Sequence, residues 1–183
     1  MRYIVRSCAV IAVSVILSSC GPAEKMAEVP PPQEITADAI GHFCGMALTE
    51  HPGPKGQIFV DGQRDPIWFA SVTELFAFTL LPEESKRILA TYVTDMGGVK
   101  NLDLPASGNW IDAKMAHFVI GSRLHAGMGA REAVPFALAA DAEAFAAANG
   151  GQVVSFAQVP EDYVLSYDDA AGATQPTPAP AVE

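Results

Sequence analysis

No Cys-x-x-Cys pair occurs in the 183 residues, nor a P-loop, a G-x-G-x-x-G fingerprint or a G-x-S-x-G elbow. Thioredoxin-like redox exchange, phosphate-loop chemistry, dinucleotide binding and the α/β-hydrolase nucleophile therefore have no motif to rest on. Basic residues are also scarce, with 11 Lys and Arg against 21 Asp and Glu and a net charge of −10. A surface of that sign repels phosphate backbones, so nucleic acid is not an expected partner. Cysteine is rarer still, with three in the whole chain. What the chain does have is apolar content, 50% of its residues and a mean hydropathy of +0.21, which excludes a disordered or fibrous protein.

Much of that excess sits at the N-terminus. Arg2 and Arg6 precede an apolar run from Cys8 to Leu17, followed by Leu17-Ser18-Ser19-Cys20. The run falls short of the ~20 apolar residues a membrane span needs, and it ends in small residues suited to a peptidase pocket. Residues 1–19 are therefore expected to be a cleaved export signal. The ending resembles the bacterial lipobox, which makes Cys20 the expected lipid anchor and first mature residue. Gly21, where an Asp would signal retention, resembles outer-membrane sorting. The expected location is a periplasm-facing, extracytoplasmic aqueous space, with the protein tethered to the outer membrane. Two of the 11 bases leave with the signal, so 9 bases face 21 acids, a mature charge of −12. With Cys8 removed and Cys20 acylated, Cys44 is the one remaining thiol. An unpaired thiol in an oxidising compartment is either buried and inert or kept for metal or redox chemistry.

Residues 20–35, with Pro30-Pro31-Pro32 and no hydrophobic period, have the composition of a flexible, lipid-anchored spacer. Residues 166–183, rich in Ala, Pro, Thr and acids, are expected to form a disordered tail. Between them lie two similar blocks, 36–104 and 105–165. In the first, Gln57–Val60 and Pro66–Phe69 read as strands, Ser71-Val72-Thr73-Glu74 as a capping box opening a helix that Pro82 stops, and Ile88–Met96 as a further strand. In the second, His117–Ile120 and Val134–Leu138 read as strands, Asp141 as the cap of an alanine-rich helix ended by Gly150-Gly151, and Val153–Phe156 as the closing strand. Each block is thus β-β-α-β, and the fold class is α+β.

Cys44-Gly45-Met46 places a thiol and a thioether two residues apart, with a glycine that lets the backbone turn both sulfurs toward one point. Thiolate plus thioether is a soft donor set, and it selects Cu(I) over zinc, calcium or magnesium. One thiolate on Cu(I) leaves a neutral site, so burial carries no Born penalty for net charge. The alternative is a structural pair in which Cys44 is a small buried hydrophobe and Met46 fills a gap. Met128 lies between Gly127 and Gly129 with no apolar periodicity, a better place for an adjustable donor than for a core residue. It is the favoured third ligand, and His51 or His125 could complete or exchange with the set. His42, His117, Met96 and Met115 rank lower, the two methionines reading as core or strand-end residues.

Phe43-Cys44-Gly45-Met46, Glu50-His51-Pro52-Gly53-Pro54-Lys55-Gly56-Gln57-Ile58, Trp68-Phe69, Tyr92-Val93-Thr94-Asp95-Met96-Gly97, Gly121-Ser122, Gly127-Met128-Gly129-Ala130 and Val134-Pro135-Phe136 together resemble the NosL family. These are lipoproteins that accompany nitrous oxide reductase, and the resemblance spans roughly residues 40–157. It implies a Cu(I)-binding accessory protein that hands copper to an ABC-transporter-associated assembly apparatus and on to the reductase. It also implies two β-β-α-β units in an arrangement related to organomercurial lyase, with Cys44, Met46 and Met128 as copper ligands. The lyase chemistry needs two cysteines and does not carry over, so the expected role is binding and transfer without turnover. Two other roles stand beside it: a tethered scaffold that docks on the reductase or its ABC apparatus without moving metal, and a thiol enzyme pairing Cys44 with a histidine.

Overall fold

The short apolar run Ile58-Phe59-Val60, rich in β-branched and aromatic residues, favours an extended chain buried on both faces, and β1 (Gly56–Val60) runs antiparallel to β2 (Ile67–Phe69). The computed structural model describes residues 29–102, 106, 108–126 and 129–166. Helix α1 (Val72–Leu80) follows β2, with Val72, Leu75, Phe76 and Phe78 buried, as the i, i+3, i+4 spacing requires. Next comes β3 (Ile88–Thr94), antiparallel to β1 on its other side, and then β4 (Trp110–Asp112) beside β3. The first sheet therefore has the order β2-β1-β3-β4.

The second unit repeats the plan. β5 (His117–Ile120) pairs antiparallel with β6 (Val134–Phe136), α2 (Ala139–Asn149) crosses over, and β7 (Gln152–Ser155) pairs with the free side of β5. A short helix, α3 (Glu161–Leu165), ends the described chain. Two β-β-α-β units thus make an α+β fold, as the sequence predicts.

Helix α1 joins the units. Its Leu75 packs so closely on Gly56 that a β-carbon there would fall 2.5 Å from Leu75 Cδ1. On the other side, the Phe76 ring lies 5.1 Å from Phe118 and 4.8 Å from Phe156 of the second unit. One apolar cluster therefore contains Ile58, Phe69 and Leu75 together with Phe118, Ile120 and Ala133. Burying each such large side chain contributes about 1.5–3 kcal/mol, so the shared cluster is ample to hold the units together. The opposite face of the second sheet buries Val119, Val134 and Phe136 with Ala142 of α2 and Met96. Two hydrogen bonds reinforce the junction: Met96 N–H to the Pro135 carbonyl at 2.9 Å, and Ala137 N–H to Asp95 Oδ1 at 2.9 Å.

The structure differs from the sequence expectations at definite places. Pro30 and Gln33, assigned to the spacer, are fastened to the first sheet. Tyr92 Oη donates to the Pro30 carbonyl at 2.8 Å, while Gln33 N–H and carbonyl exchange two 2.9 Å bonds with the buried Gln57 amide. A buried amide must have partners, and this strip of backbone provides them. The first sheet takes β4 from beyond residue 104, so the boundary between the blocks is crossed by a strand. Helix α2 begins at Ala139 with Leu138 as its uncapped N-terminal flank, and Asp141 stands in its first turn rather than at its cap. Met96 is core at 3% exposure, but Met115 is 77% exposed on a 3-10 turn (Ala113–Met115) after β4. Cys20 and the signal, and most of the tail, lie outside the described residues.

Candidate metal-binding site

Cys44 sits at the tip of a small hairpin that hangs on the outer edge of β2. Ile40 and Ala47 pair in antiparallel fashion, Gly41 N–H donates to the Met46 carbonyl at 2.9 Å, and Gly45 N–H donates to the Gly41 carbonyl at 2.8 Å. Gly45 has φ +67°, a left-handed conformation that side chains resist, which explains the glycine between cysteine and methionine. The hairpin is fixed to the sheet by a bridge between Gly41 and Trp68 and by His42 N–H to the Trp68 carbonyl at 2.8 Å. Both Cys44 and Met46 are half-buried, and Cys44 is a free thiol.

The sulfur of Cys44 stands over Gly41. A β-carbon at Gly41 would lie 2.5 Å from Cys44 Sγ, and at 3.5 Å from Ala70 Cβ. The bare glycine is thus the floor on which the sulfur rests. His42 is turned away from use as a free donor: its Nε2 pairs with Glu84 Oε1 at 3.0 Å, and its ring meets Phe43, Phe69 and Phe78 edge-on. Phe43 and Ile40 are 42% and 47% exposed, giving the sulfur pair an apolar rim.

Met128 and Gly127 lie outside the described residues, whereas the residues on either side of them are defined. His125 pairs with Arg131, Ala126 N–H donates to the Ala130 carbonyl at 2.8 Å, and Gly129 N–H to the Ala126 carbonyl at 3.1 Å. His125 is exposed, with Nδ1 3.0 Å from the Arg123 carbonyl oxygen. His51 is the opposite case, 8% exposed, with Nε2 buried and unbonded. His117 is half-buried in β5.

Sequence reasoning missed a buried polar group under these turns. Glu132, 1% exposed, places Oε1 against the first turn of α1, accepting from Val72 N–H at 3.0 Å, Thr73 N–H at 3.1 Å and Ser71 Oγ at 3.2 Å. Ser71 Oγ itself accepts from Thr73 N–H, as a cap should. Burial pushes the Glu132 carboxyl up to about 7, against the pull of these donors and of Lys55. Lys55 is fully buried, its Nζ donating to the carbonyls of Pro52 at 3.0 Å and Gly53 at 2.8 Å. Burial brings its ammonium down to about 8, with Glu132 and Glu74 opposing. Burial likewise raises the Glu74 carboxyl, opposed by the Ala70 and Ser71 N–H groups and then by His51 and Lys55. The one available signal was that Lys55 stands one residue before β1 and Glu132 two residues before β6, where a charge must be either solvated or paired.

Among the described residues, no three or more His, Cys, Asp or Glu side chains are arranged to hold a metal ion, and no helix is long and apolar enough to cross a membrane. The structure places Cys44 and Met46 on one turn, His51 in the interior, and His125 at an exposed position three residues before Met128 in the chain.

The chain is similar to several known proteins. A family profile described as NosL matches residues 32–164. The copper-binding lipoprotein NosL of Achromobacter cycloclastes is 43% identical over 91% of this chain and 86% of its own. The protein of that name from Stutzerimonas stutzeri is 36% identical over 78% of this chain and 73% of its own. Among solved structures, the copper chaperone NosL of Shewanella denitrificans superposes with a TM-score of 0.66 at 34% identity, covering 72% of this chain and 98% of that one.

Proposed function

The chain belongs to the NosL family, and from that premise and the geometry of the Cys44 turn we propose that it is a Cu(I)-carrying lipoprotein, anchored through Cys20, that supplies copper for the maturation of nitrous oxide reductase. The observation that carries this reading is the Cys44 thiol: free, half-exposed, and seated on a turn whose backbone is fixed at both ends. Thiolate and thioether from Cys44 and Met46 form a soft pair suited to cuprous ion, with Met128 as the third donor. Its relatives from A. cycloclastes and S. stutzeri bear the name copper-binding.

Carriage without turnover follows from the donors. A three-coordinate ion can accept a partner's sulfur or imidazole before it loses one of its own, so transfer avoids a bare ion. The half-exposed sulfur and its apolar rim give an acceptor access from one side. The recipient in this reading is an ABC-transporter-associated assembly apparatus and, through it, the reductase. Because Pro30 is already docked on the sheet, the ten residues from 20 to 29 can hold the domain at most about 35 Å from the lipid. That keeps transfer close to the membrane.

The test is an anaerobic Cu(I) titration against a colorimetric chelator. Wild type should bind one equivalent, Cys44→Ser should not compete, and both should share the same circular dichroism spectrum. Wild-type affinity in Cys44→Ser would refute the site. No binding by wild type would leave the tethered scaffold.

A further inference from the structure

The Cys44 turn stands at the edge of the first sheet, and its own backbone ladder does not set the direction in which the sulfur points. Gly41, the floor under Cys44 Sγ, is bridged to Trp68, and His42 N–H donates to the Trp68 carbonyl at 2.8 Å. Both fastenings fall on one residue of β2, so alone they leave a hinge about which the hairpin can pivot. The His42 side chain supplies a second point of attachment. Its Nε2 donates to Glu84 Oε1 at 3.0 Å, a bond that spans 42 positions of the chain. Its ring meets Phe69 of β2 at 5.9 Å and Phe78 of α1 at 5.4 Å, both edge-on. Glu84 is held in turn, its N–H donating to the Leu81 carbonyl at 3.3 Å. Lys86 Nζ steadies the same stretch by donating to the Thr79 carbonyl at 2.9 Å and to the Leu81 carbonyl. The hairpin is therefore clasped between β2 and the C-terminal end of α1.

We propose that His42 is a positioning residue for the Cys44 thiol: clasped by Glu84 and the two phenylalanine rings, it fixes the direction in which the sulfur is presented to Cu(I). The proposal rests on the reading of Cys44 as a copper ligand. Phe69 and Phe78 are both buried, and an apolar side chain would cover them as well as an imidazole does. What the polar ring adds is a directional bond to a carboxylate on another element. The two side chains are 34% and 18% exposed, so the pair contributes little to global stability, and its effect falls on the orientation of the turn. A donor already held in its bound direction avoids an ordering cost when the ion arrives. Groups that orient metal ligands from outside the coordination sphere change affinity by about 10- to 100-fold when removed.

Chelator competition for Cu(I) on the full mature protein reads affinity, and the alkylation rate of Cys44 in the metal-free protein reads how firmly the turn is held. His42→Ala and Glu84→Ala should each weaken binding by about 10- to 100-fold and speed alkylation, with the circular dichroism spectrum of wild type. His42→Gln, whose amide N–H reaches about as far as Nε2 and can donate to Glu84, should return both readouts close to wild type. His42→Ala/Glu84→Ala should be no weaker than His42→Ala alone, because the two side chains act through one bond. Copper-edge absorption of His42→Ala should keep the wild-type set of neighbours. A nitrogen neighbour present in wild type and lost in His42→Ala would make His42 a ligand and overturn the positioning role. Wild-type affinity in Glu84→Ala, or a His42→Gln protein as weak as His42→Ala, would overturn it too, while leaving Cys44 as a ligand. If Cys44→Ser competes for copper as well as wild type, the ligand reading falls, and this proposal with it. Should His42→Ala not fold, Glu84→Ala, which leaves the imidazole ring in place, is judged by the same criteria.

Discussion

Gly41→Ala isolates the Cys44 sulfur as the seat of binding. The new β-carbon would sit 2.5 Å from Cys44 Sγ, whereas its next neighbours, Ala70 Cβ at 3.5 Å and Ala70 N at 3.7 Å, are at ordinary contact. Only the sulfur has to move, by about 1 Å to regain normal contact. In the metal-free protein the thiol can swing toward solvent, so folding stability should change little. With metal bound the sulfur must return to its ligating position. An off-rotamer torsion of ~30° costs about 0.5–1.5 kcal/mol, and a backbone shift of the turn about 1–3 kcal/mol. At 1.4 kcal/mol per decade, Cu(I) affinity should fall by about 2- to 100-fold. Chelator competition reads the affinity, thermal unfolding reads the fold, and iodoacetamide should label Cys44 faster in Gly41→Ala than in wild type. An intact Gly41→Ala protein with wild-type affinity would refute the assignment of the sulfur over Gly41 as the binding position.

Other outcomes follow from the interior. The unfolded chain releases the Glu132 proton near 4.5 whereas the folded protein keeps it to about 7, so the folded state binds the extra proton in between and this contribution to stability falls as pH rises through that window. The change is about 3 kcal/mol, and urea unfolding should show it in wild type but not in Glu132→Gln; parallel pH curves would contradict it. Lys55, lowered to about 8, acts in the opposite direction between 8 and 10.5, where stability should rise with pH. Gln57→Ala removes the amide that holds Gln33 and should cost about 1–3 kcal/mol, with limited proteolysis appearing around residues 30–35; an unchanged cleavage pattern would count against the docked strip. Gly56→Ala drives a β-carbon into Leu75 and should destabilise by about 1–3 kcal/mol in thermal melts without altering one-equivalent Cu(I) binding.

The elements that carry strong local patterns were legible in the sequence. The short apolar, β-branched runs of Gln57–Val60 and His117–Ile120, the Ser71 cap and the apolar spacing of Val72, Leu75 and Phe76 each specify structure within a few residues. So did the Cys44-Gly45-Met46 turn, whose glycine takes the positive φ that its position implies. What escaped depends on partners distant in the chain. β4 has only three residues, Trp110–Asp112, and is a strand because β3 offers it a free edge. Glu132 reads as an ordinary surface acid until α1 is brought within 3.2 Å of it. Gly41 carries no local signal at all, since its smallness matters only once Trp68 has fixed the hairpin and the Cys44 sulfur lies above it. Asp141 was a plausible cap, but the chain enters the helix two residues earlier, where alanines already favour it.

The most direct measurement of the central claim is X-ray absorption at the copper edge on anaerobically loaded wild-type protein. The account predicts one Cu(I) with sulfur neighbours only, from Cys44, Met46 and Met128. A first shell made wholly of nitrogen and oxygen, or a sulfur shell that persists unchanged in Cys44→Ser, would contradict it.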